Sequence, residues 1–157
     1  MKQSLVAKGV YTIIREAARH VLRRPVVGVA AVARTDDERY LLIRRGDTGE
    51  WALPGGTIEW GQTLTTTVHR ELDEEAGVEQ VEIGRFVGAY SAPFRDSRFH
   101  AVTLVVEVRI EPPTRPPRNP IEILEVRLFR RDELPPRLGL NMTDMLEDAL
   151  AGRTRFE

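Results

Sequence analysis

The succession of apolar patterns along this chain predicts an α+β fold, an α/β/α sandwich around a mixed β-sheet, with an extra N-terminal amphipathic helix. Two runs rich in β-branched and small apolar residues, 26–32 and 101–110, have the composition of buried strands. Helical patterns precede, interrupt and follow the predicted strands. A chain of 157 residues with 41% hydrophobic residues can bury one core and has no room for a second full domain.

The composition argues against several classes of protein. The chain has no cysteine, so it can build neither a disulfide framework nor a zinc–thiolate site. Its formal net charge of -1 gives no overall attraction to nucleic acid or to anionic membranes. We therefore expect neither nucleic acid nor a membrane as a partner, and the absence of cysteine is compatible with a cytoplasmic protein.

Residues 1–24 have the pattern of an amphipathic helix that ends before Pro25. Charged residues interrupt this segment, so it contains no apolar run long enough to cross a membrane. Its apolar stripe either packs on its own domain or forms a dimer contact, and we expect a homodimer. The domain itself then covers residues 25–157. The stripe consists of Val6, Val10, Ile13, Ile14, Ala17 and Val21.

A hairpin is predicted directly after this helix. Residues 26–32 and 40–43 form its strands, and the polar residues 36–39 form its turn. Arg44 and Arg45 leave the second strand and are candidates to reach a substrate phosphate. Trp51 follows, and we expect it to pack beneath the glycine turn that comes next.

A carboxylate-rich helix is the main chemical signal of the sequence. If residues 63–76 are helical, Glu71, Glu74 and Glu75 lie at i, i+3 and i+4 and project from one face. A Gly-Gly turn lies upstream, and Gly77 follows as a predicted C-cap. Crowded oxygen ligands without His or Cys suit Mg²⁺ or Mn²⁺. The pattern therefore indicates a site for a divalent cation and a phosphate, although solvated acidic residues on a surface helix are the alternative interpretation.

The same stretch resembles the Nudix box, Gly-x5-Glu-x7-Arg-Glu-U-x-Glu-Glu-x-Gly-U, where U is apolar. Gly56 is followed after five residues by position 62 and, after seven more, by Arg-Glu-Leu-Asp-Glu-Glu-Ala-Gly-Val. Every fixed position matches except one, because Gln62 stands where the family usually has Glu. A motif this long and gapped is specific, and the chain is therefore similar to Nudix hydrolases.

This resemblance implies roles for the residues of the box. Glu71, Glu74 and Glu75 would bind the metal with the backbone carbonyl of Gly55, and Arg70 would orient the glutamates. Glu74 is also a candidate catalytic residue. The amide of Gln62 brings no negative charge. Two interpretations stay open: an active enzyme with altered metal affinity, and a nucleotide-binding module without catalysis.

A polar loop between two predicted strands, residues 81–89 and 101–110, is the candidate substrate site. It resembles the loop that many Nudix enzymes acting on ADP-ribose and related nucleoside diphosphate compounds carry here. Alternatively it is a surface loop in which Asp96 pairs with Arg95 or Arg98. The candidate substrate-binding residues of this loop are Tyr90, Arg95, Arg98 and His100.

A stiff proline-rich linker, residues 112–120, is expected next, because proline lacks the backbone donor that helices and central strands need. By the family resemblance, Glu122 is a candidate general base or additional metal ligand. A strand is predicted at residues 125–130, and a final helix begins near Asn141 as its N-cap. Its apolar stripe contains Met142, Met145, Leu146, Ala149 and Leu150.

Together these features predict Mg²⁺-dependent hydrolysis of the pyrophosphate bond in a nucleotide sugar or ADP-ribose, giving a nucleoside monophosphate and a phosphorylated second product. A nucleoside triphosphate pyrophosphohydrolase that removes damaged nucleotides would share the same box. Release of pyrophosphate would distinguish that enzyme from the first. The module without catalysis would bind nucleotide without turnover.

Overall fold

The computed structural model describes residues 13–14 and 24–157. The predicted N-terminal helix lies outside the described residues, except that Ile13 and Ile14 are helical and exposed. In this described part of the chain, no helix is long and apolar enough to cross a membrane. The strands are β1 (Val26–Arg34), β2 (Tyr40–Arg45), β3 (Trp51–Ala52), β4 (Gly55–Thr57), β5 (Val81–Tyr90), β6 (Ala101–Ile110), β7 (Ile123–Phe129) and β8 (Arg155–Phe156), and the helices are α1 (Leu64–Ala76) and α2 (Thr143–Leu150).

Strand β1 is the centre of a mixed sheet. It runs parallel to β6 along its whole length, from Val26 beside Ala101 to Arg34 beside Arg109. On its other side it pairs antiparallel with β4. Strand β5 is antiparallel to β6 and carries β8 at its outer edge. The predicted mixed β-sheet is therefore confirmed.

The predicted hairpin of β1 and β2 is present, but its strands separate quickly. They pair at Arg34 and Tyr40, next to the turn. Beyond this point β2 pairs antiparallel with β3 and β7, while β1 pairs with β4 and β6. The divergence of β1 and β2 brings β4 beside β1, and β4 carries the glycine turn of the box.

One helix covers each face of the sheet, which confirms the α/β/α sandwich. On one face, Val68 and Leu72 of α1 belong to a cluster of buried side chains that includes Val29 of β1. On the other face, Met145 and Leu146 of α2 belong to a second cluster. Burying such side chains stabilises the fold by about 1.5–3 kcal/mol for each large one.

Helix α1 begins and ends as the sequence predicts. Thr63 is the N-cap, and its hydroxyl accepts a hydrogen bond of 3.1 Å from the backbone N–H of Thr66. Gly77 is the C-cap with φ of 66°. Its backbone N–H donates to the Asp73 carbonyl at 3.1 Å. The helix that carries the box carboxylates is therefore capped at both ends by local sequence.

Several predicted boundaries are wrong. The hairpin strands extend to Arg34 and Arg45, so Arg44 and Arg45 belong to β2 instead of following it. Asn141 is not the N-cap of α2, because its φ is 51° and its side-chain amide donates to the carbonyls of Phe94 and Arg95 at 3.2 and 3.1 Å. Helix α2 begins at Thr143 instead. Strand β7 starts at Ile123 rather than at residue 125, because its pairing with β2 extends to Arg45. Trp51 packs edge-to-face on Phe129, with ring centroids 4.9 Å apart.

Candidate active site

A cleft of about 330 Å³ lies beside the glycine turn and α1. Strand β4 contributes backbone, α1 contributes carboxylates, and the β5–β6 loop and the end of the proline-rich linker complete the walls. Of the residues that the sequence singled out, the cleft brings together Arg45, Gly55, Glu71, Glu75, Arg98 and Glu122.

Two carboxylates of α1 are buried in this cleft. Glu71 is 8% exposed and Glu75 is 7% exposed. An Oε2 atom of Glu75 accepts a hydrogen bond of 2.8 Å from the backbone N–H of Gly55. Burial raises the pKa of Glu75 to about 8, against the lowering effect of that hydrogen bond and with a further raising effect from Glu71. Burial also raises the pKa of Glu71, an effect that the Arg70 charge opposes. For both groups, the effect of burial is larger than the opposing effects of their neighbours.

Gly56 allows the backbone of β4 to lie against the Glu71 carboxylate. A Cβ atom at this position would be 2.1 Å from Oε1 of Glu71. A side chain here would therefore push Glu71 out of its place. This close contact gives the physical reason for glycine at the first position of the box.

Arg70 lies between two glutamates of the box. Its Nη2 atom is 2.9 Å from Oε1 of Glu71 and donates to the Thr57 carbonyl at 3.0 Å. Its Nη1 atom donates to Oε2 of Glu74 at 3.3 Å. Such charge-assisted bonds fix the orientation of carboxylates.

Gln62 supports this arginine from outside the cleft. Its Oε1 atom accepts hydrogen bonds from Oγ1 of Thr67 at 3.1 Å and from Nε of Arg70 at 3.3 Å. Gln62 is not among the residues that line the cleft. An amide oxygen thus accepts from Arg70 without adding a negative charge.

Glu74 is separated from the other two box glutamates. It contacts Arg70 on one side, and Nη1 of Arg118 lies 3.5 Å from its Oε1 atom on the other. It does not line the cleft. Among residues 13–14 and 24–157, no three acidic or histidine side chains form a ready group around one metal position. That Glu74 binds a metal stays a prediction, and it requires this side chain to turn.

The groups around Glu71 and Glu75 fit a hard divalent cation. The donors are carboxylate and backbone oxygens, which Mg²⁺ and Mn²⁺ prefer. Two buried carboxylates side by side are unfavourable in their charged forms unless a cation neutralises them. Burial raises the pKa of both groups, which means that their charged forms are disfavoured as long as nothing neutralises them.

Two arginines face the carboxylates across the cleft. Arg45 donates to both carboxylate oxygens of Asp47 at 2.9 Å. Arg98 is bound to Asp96 through its backbone N–H, Nε and Nη2 at 2.9, 2.9 and 2.7 Å. The pairing of Asp96 with Arg98 matches the alternative interpretation of the loop, yet Arg98 still lines the cleft.

Phe99 was missed by the sequence reasoning. It lines the cleft, and the Arg98 guanidinium lies 5.2 Å from its ring centroid. A planar cation over an aromatic ring offers a surface on which a base or a sugar can stack. The adjacent Arg-Phe pair in the polar loop was the signal that could have identified it.

Four predicted substrate-binding residues do not line the cleft. Tyr90 is fully buried, and its hydroxyl donates to Asp148 at 3.0 Å. Arg95 is 5% exposed and bound to Asp144 and Glu157. His100 contacts the Ser91 carbonyl through Nε2 at 2.8 Å, and Arg44 donates to the Gly49 carbonyl at 3.1 Å. We assign Tyr90 and Arg95 to the packing of the C-terminal region, which corrects the prediction that they contact substrate.

The fold and this cleft define a class of protein: an α/β/α sandwich with a glycine turn in front of a helix that carries buried carboxylates, a site suited to phosphate chemistry with a divalent cation. The NUDIX domain model matches residues 22–149. The chain therefore belongs to the Nudix family and is a Nudix hydrolase, as its box predicts.

Several known proteins are similar to this chain in sequence or in fold. The chain is 37% identical to a MutT-like protein of Streptomyces ambofaciens over 80% of this chain and 77% of that protein. It is 36% identical to the ADP-ribose pyrophosphatase of Methanocaldococcus jannaschii over 52% of this chain and 48% of the relative, which is thus matched over about half of its length. A crystal structure of an ADP-ribose pyrophosphatase from Streptococcus suis is 28% identical with a TM-score of 0.69, over 85% of this chain and 100% of that one.

Proposed function

We propose that the protein hydrolyses the pyrophosphate bond of nucleoside diphosphate-linked compounds, either a nucleotide sugar or ADP-ribose, with Mg²⁺ or Mn²⁺. The observation that carries this proposal is the pair of arginines, Arg45 and Arg98, which line the same cleft as the buried Glu71 and Glu75. Carboxylates hold the cation, and arginines bind the phosphate groups. The products are a nucleoside monophosphate and a phosphorylated second moiety.

Each side chain of the cleft has a proposed task. Glu71 and Glu75 hold the cation, and Glu74 joins them after turning from Arg118. When bound, the cation neutralises the diphosphate oxygens and polarises phosphorus. Arg45 and Arg98 orient the diphosphate.

Glu122 is the proposed general base that accepts the proton of the attacking water. It lines the cleft together with Glu71 and Glu75. As an alternative, the carboxylate of Glu122 acts as an additional metal ligand, as the family resemblance also allows. A Glu122→Gln variant separates the two roles. If Glu122 is a general base, the substitution leaves Mn²⁺ affinity unchanged, and if Glu122 is a metal ligand, the substitution weakens it.

The test is a panel of ADP-ribose, nucleotide sugars and nucleoside triphosphates with and without Mg²⁺. We expect turnover of the diphosphate-linked compounds to monophosphates, dependent on the cation. Release of pyrophosphate from triphosphates alone would instead identify the nucleotide-cleansing activity. Nucleotide binding without turnover of any compound would identify the module without catalysis.

We also propose a homodimer. Leu64, Ile83 and Phe86 are exposed and line a groove of about 190 Å³ between the start of α1 and strands β5 and β6. Contiguous exposed apolar surface is a frequent feature of subunit contacts. Light scattering should give twice the chain mass, and Phe86→Lys should reduce it, whereas Phe156→Lys at another exposed phenylalanine should not. A monomeric wild-type protein would refute the dimer.

The cytoplasm is the proposed location. The support is compositional, because a chain without cysteine has no need of an oxidising compartment. Fractionation of the cells that express the protein tests this proposal, and recovery outside the cytoplasmic fraction would contradict it.

A further inference from the structure

Asn119, at the end of the proline-rich linker, closes the turn that presents Glu122. Its Oδ1 atom accepts hydrogen bonds from the backbone N–H groups of Ile121 and Glu122 at 3.1 and 3.3 Å. Its backbone carbonyl accepts from the N–H of Ile123 at 3.0 Å. An asparagine side chain that caps its own turn in this way fixes the backbone that follows it. The turn ends where β7 begins.

A second segment holds the same turn from the opposite side. The backbone N–H of Gly46 donates to the Glu122 carbonyl at 2.7 Å. A Cβ atom at Gly46 would lie 2.0 Å from the Ile121 carbonyl oxygen, so only glycine allows this contact. The backbone of Glu122 is thus fixed between Asn119 and the turn that follows β2.

The linker itself is attached to the helix that carries the box. Asp73 of α1 forms ion pairs with Arg115 and Arg118. The backbone N–H of Arg118 donates to the Glu74 carbonyl at 2.8 Å, and that of Thr114 to the Gly77 carbonyl at 3.0 Å. These ion pairs and hydrogen bonds hold the linker against α1. The position of Glu122 relative to the α1 carboxylates therefore depends on the turn that Asn119 closes.

We propose that Asn119 is a positioning residue that directs the Glu122 carboxylate into the cleft. Besides closing the turn, its Nδ2 atom donates to Oε2 of Glu122 at 3.3 Å. Glu122 and Asn119 are both exposed, so without these contacts the glutamate would sample several rotamers. This inference rests on the proposed function, in which Glu122 acts on the substrate.

A double-mutant cycle tests the role in turnover. Asn119→Ala should lower kcat about tenfold with little change in KM, because a displaced base affects the reaction more than substrate binding. In a Glu122→Gln background, the same change should have almost no further effect on kcat, since Asn119 acts through Glu122. Asn119→Asp keeps the acceptor of the turn but replaces the Nδ2 donor with a carboxylate oxygen that repels Glu122, so it should not recover the loss.

Side-chain amide NMR tests the contact without any activity. The chain has five side-chain amides: Gln3, Gln62, Gln80, Asn119 and Asn141. Glu122→Gln should shift the Asn119 signals, whereas Glu125→Gln, a matched change three residues further on in β7, should leave them in place. The carboxylate of Glu125 lies 3.7 Å from Nη1 of Arg44, whereas the Asn119 side-chain amide donates to Glu122.

The outcomes separate this inference from the proposed function. If the panel shows no turnover, the proposed function fails, and the Asn119 signals alone decide whether the contact exists. Unshifted signals in Glu122→Gln would overturn the positioning role. So would a loss of kcat in Asn119→Ala that is equally large in the Glu122→Gln background, or a full recovery of kcat in Asn119→Asp, which would show that only the acceptor of the turn matters.

Discussion

Two clusters of carboxylates and arginines in this molecule have opposite electrostatics. In the cleft, burial raises the pKa of Glu75 to about 8. At the C-terminal region, hydrogen bonds from Arg155, and secondarily from Arg153 and Tyr90, lower the pKa of Asp148 to about 2 against the effect of burial. In the second cluster the arginines stabilise the charged carboxylate, whereas in the first burial favours the neutral carboxyl. A strongly raised carboxyl pKa in a cleft is the property expected of a functional site.

Two arginines of the loop between β5 and β6, one in each cluster, differ in their burial and in their partners. Arg95 is almost fully buried and bound to Asp144 and Glu157, and its charge is used within the fold. Arg98 is three residues further on and has a side chain that is 46% exposed on the cleft. Two arginines of one loop therefore have different roles. The role of each depends on its partners elsewhere in the chain.

The largest effect should come from Glu75→Gln. We expect kcat to fall by about a hundredfold or more, because the change removes a carboxylate from the proposed metal site. The folded protein should be no less stable, since a pKa of about 8 makes the Glu75 carboxyl mostly neutral at pH 7, and the glutamine oxygen can still accept the hydrogen bond from the Gly55 N–H. Steady-state turnover and thermal unfolding measure both. Glu82→Gln, on exposed surface, is the control, and equal activity of the two variants would refute the role of the cleft.

Exchanging the two arginines for alanine tests their different tasks directly. Arg95→Ala should reduce the free energy of unfolding by about 3 kcal/mol, because it leaves two carboxylates without their partner. Arg98→Ala should reduce it less, by about 1–2 kcal/mol, because the Arg98 side chain is 46% exposed although its partner Asp96 is buried, and should raise KM about tenfold. Denaturant unfolding and kinetics on both variants give the comparison. A destabilised Arg98→Ala with normal KM would reverse the assignment.

Acid should act on the C-terminal cluster through Asp148. Its folded-state pKa of about 2 is below the ordinary value of 3.8, so its stabilising effect is present above about pH 4 and is lost as the pH falls toward 2. This difference between the two pKa values corresponds to about 2 kcal/mol in the free energy of unfolding. Unfolding measured between pH 5 and pH 2 should show this loss in the wild type and a weaker pH dependence in Asp148→Asn. The same slope in both proteins would contradict the assignment.

Much of the architecture follows from local sequence, and part of the site does not. The carboxylate helix with its caps, Thr63 and Gly77, was predictable because spacing and caps are local properties. The β2–β7 pairing that extends to Ile123 was not, because strand register depends on distant residues.

The same distinction applies to the loop arginines. The partners of Arg95 lie 49 and 62 residues away along the chain, so no pattern within the loop could identify its structural role. The glycine turn and the buried carboxylates of the cleft, by contrast, belong to the box, which the family resemblance covers, whereas other walls come from β1, β6 and the loop between β5 and β6. Phe99 was within reach of the sequence, but only its position beside the Arg98 guanidinium marks it as part of the cleft.

The smallest effect should come from Gln62→Glu, the change that restores the usual residue of the box. Gln62 lies outside the cleft and already accepts a hydrogen bond from Arg70 at 3.3 Å, so a carboxylate in its place should keep that bond. We expect kcat to change by less than about threefold. Gln62→Ala should lower kcat about tenfold, because Thr67 and Arg70 lose their shared acceptor.

Turnover of these two variants therefore decides what the missing charge means. If kcat falls in Gln62→Ala and stays near that of the wild type in Gln62→Glu, catalysis needs the acceptor oxygen at position 62 but not a negative charge there. Activity that arises only in Gln62→Glu would instead show that the charge is needed for catalysis. The natural chain would then be the nucleotide-binding module, and the glutamine would be the reason for its inactivity.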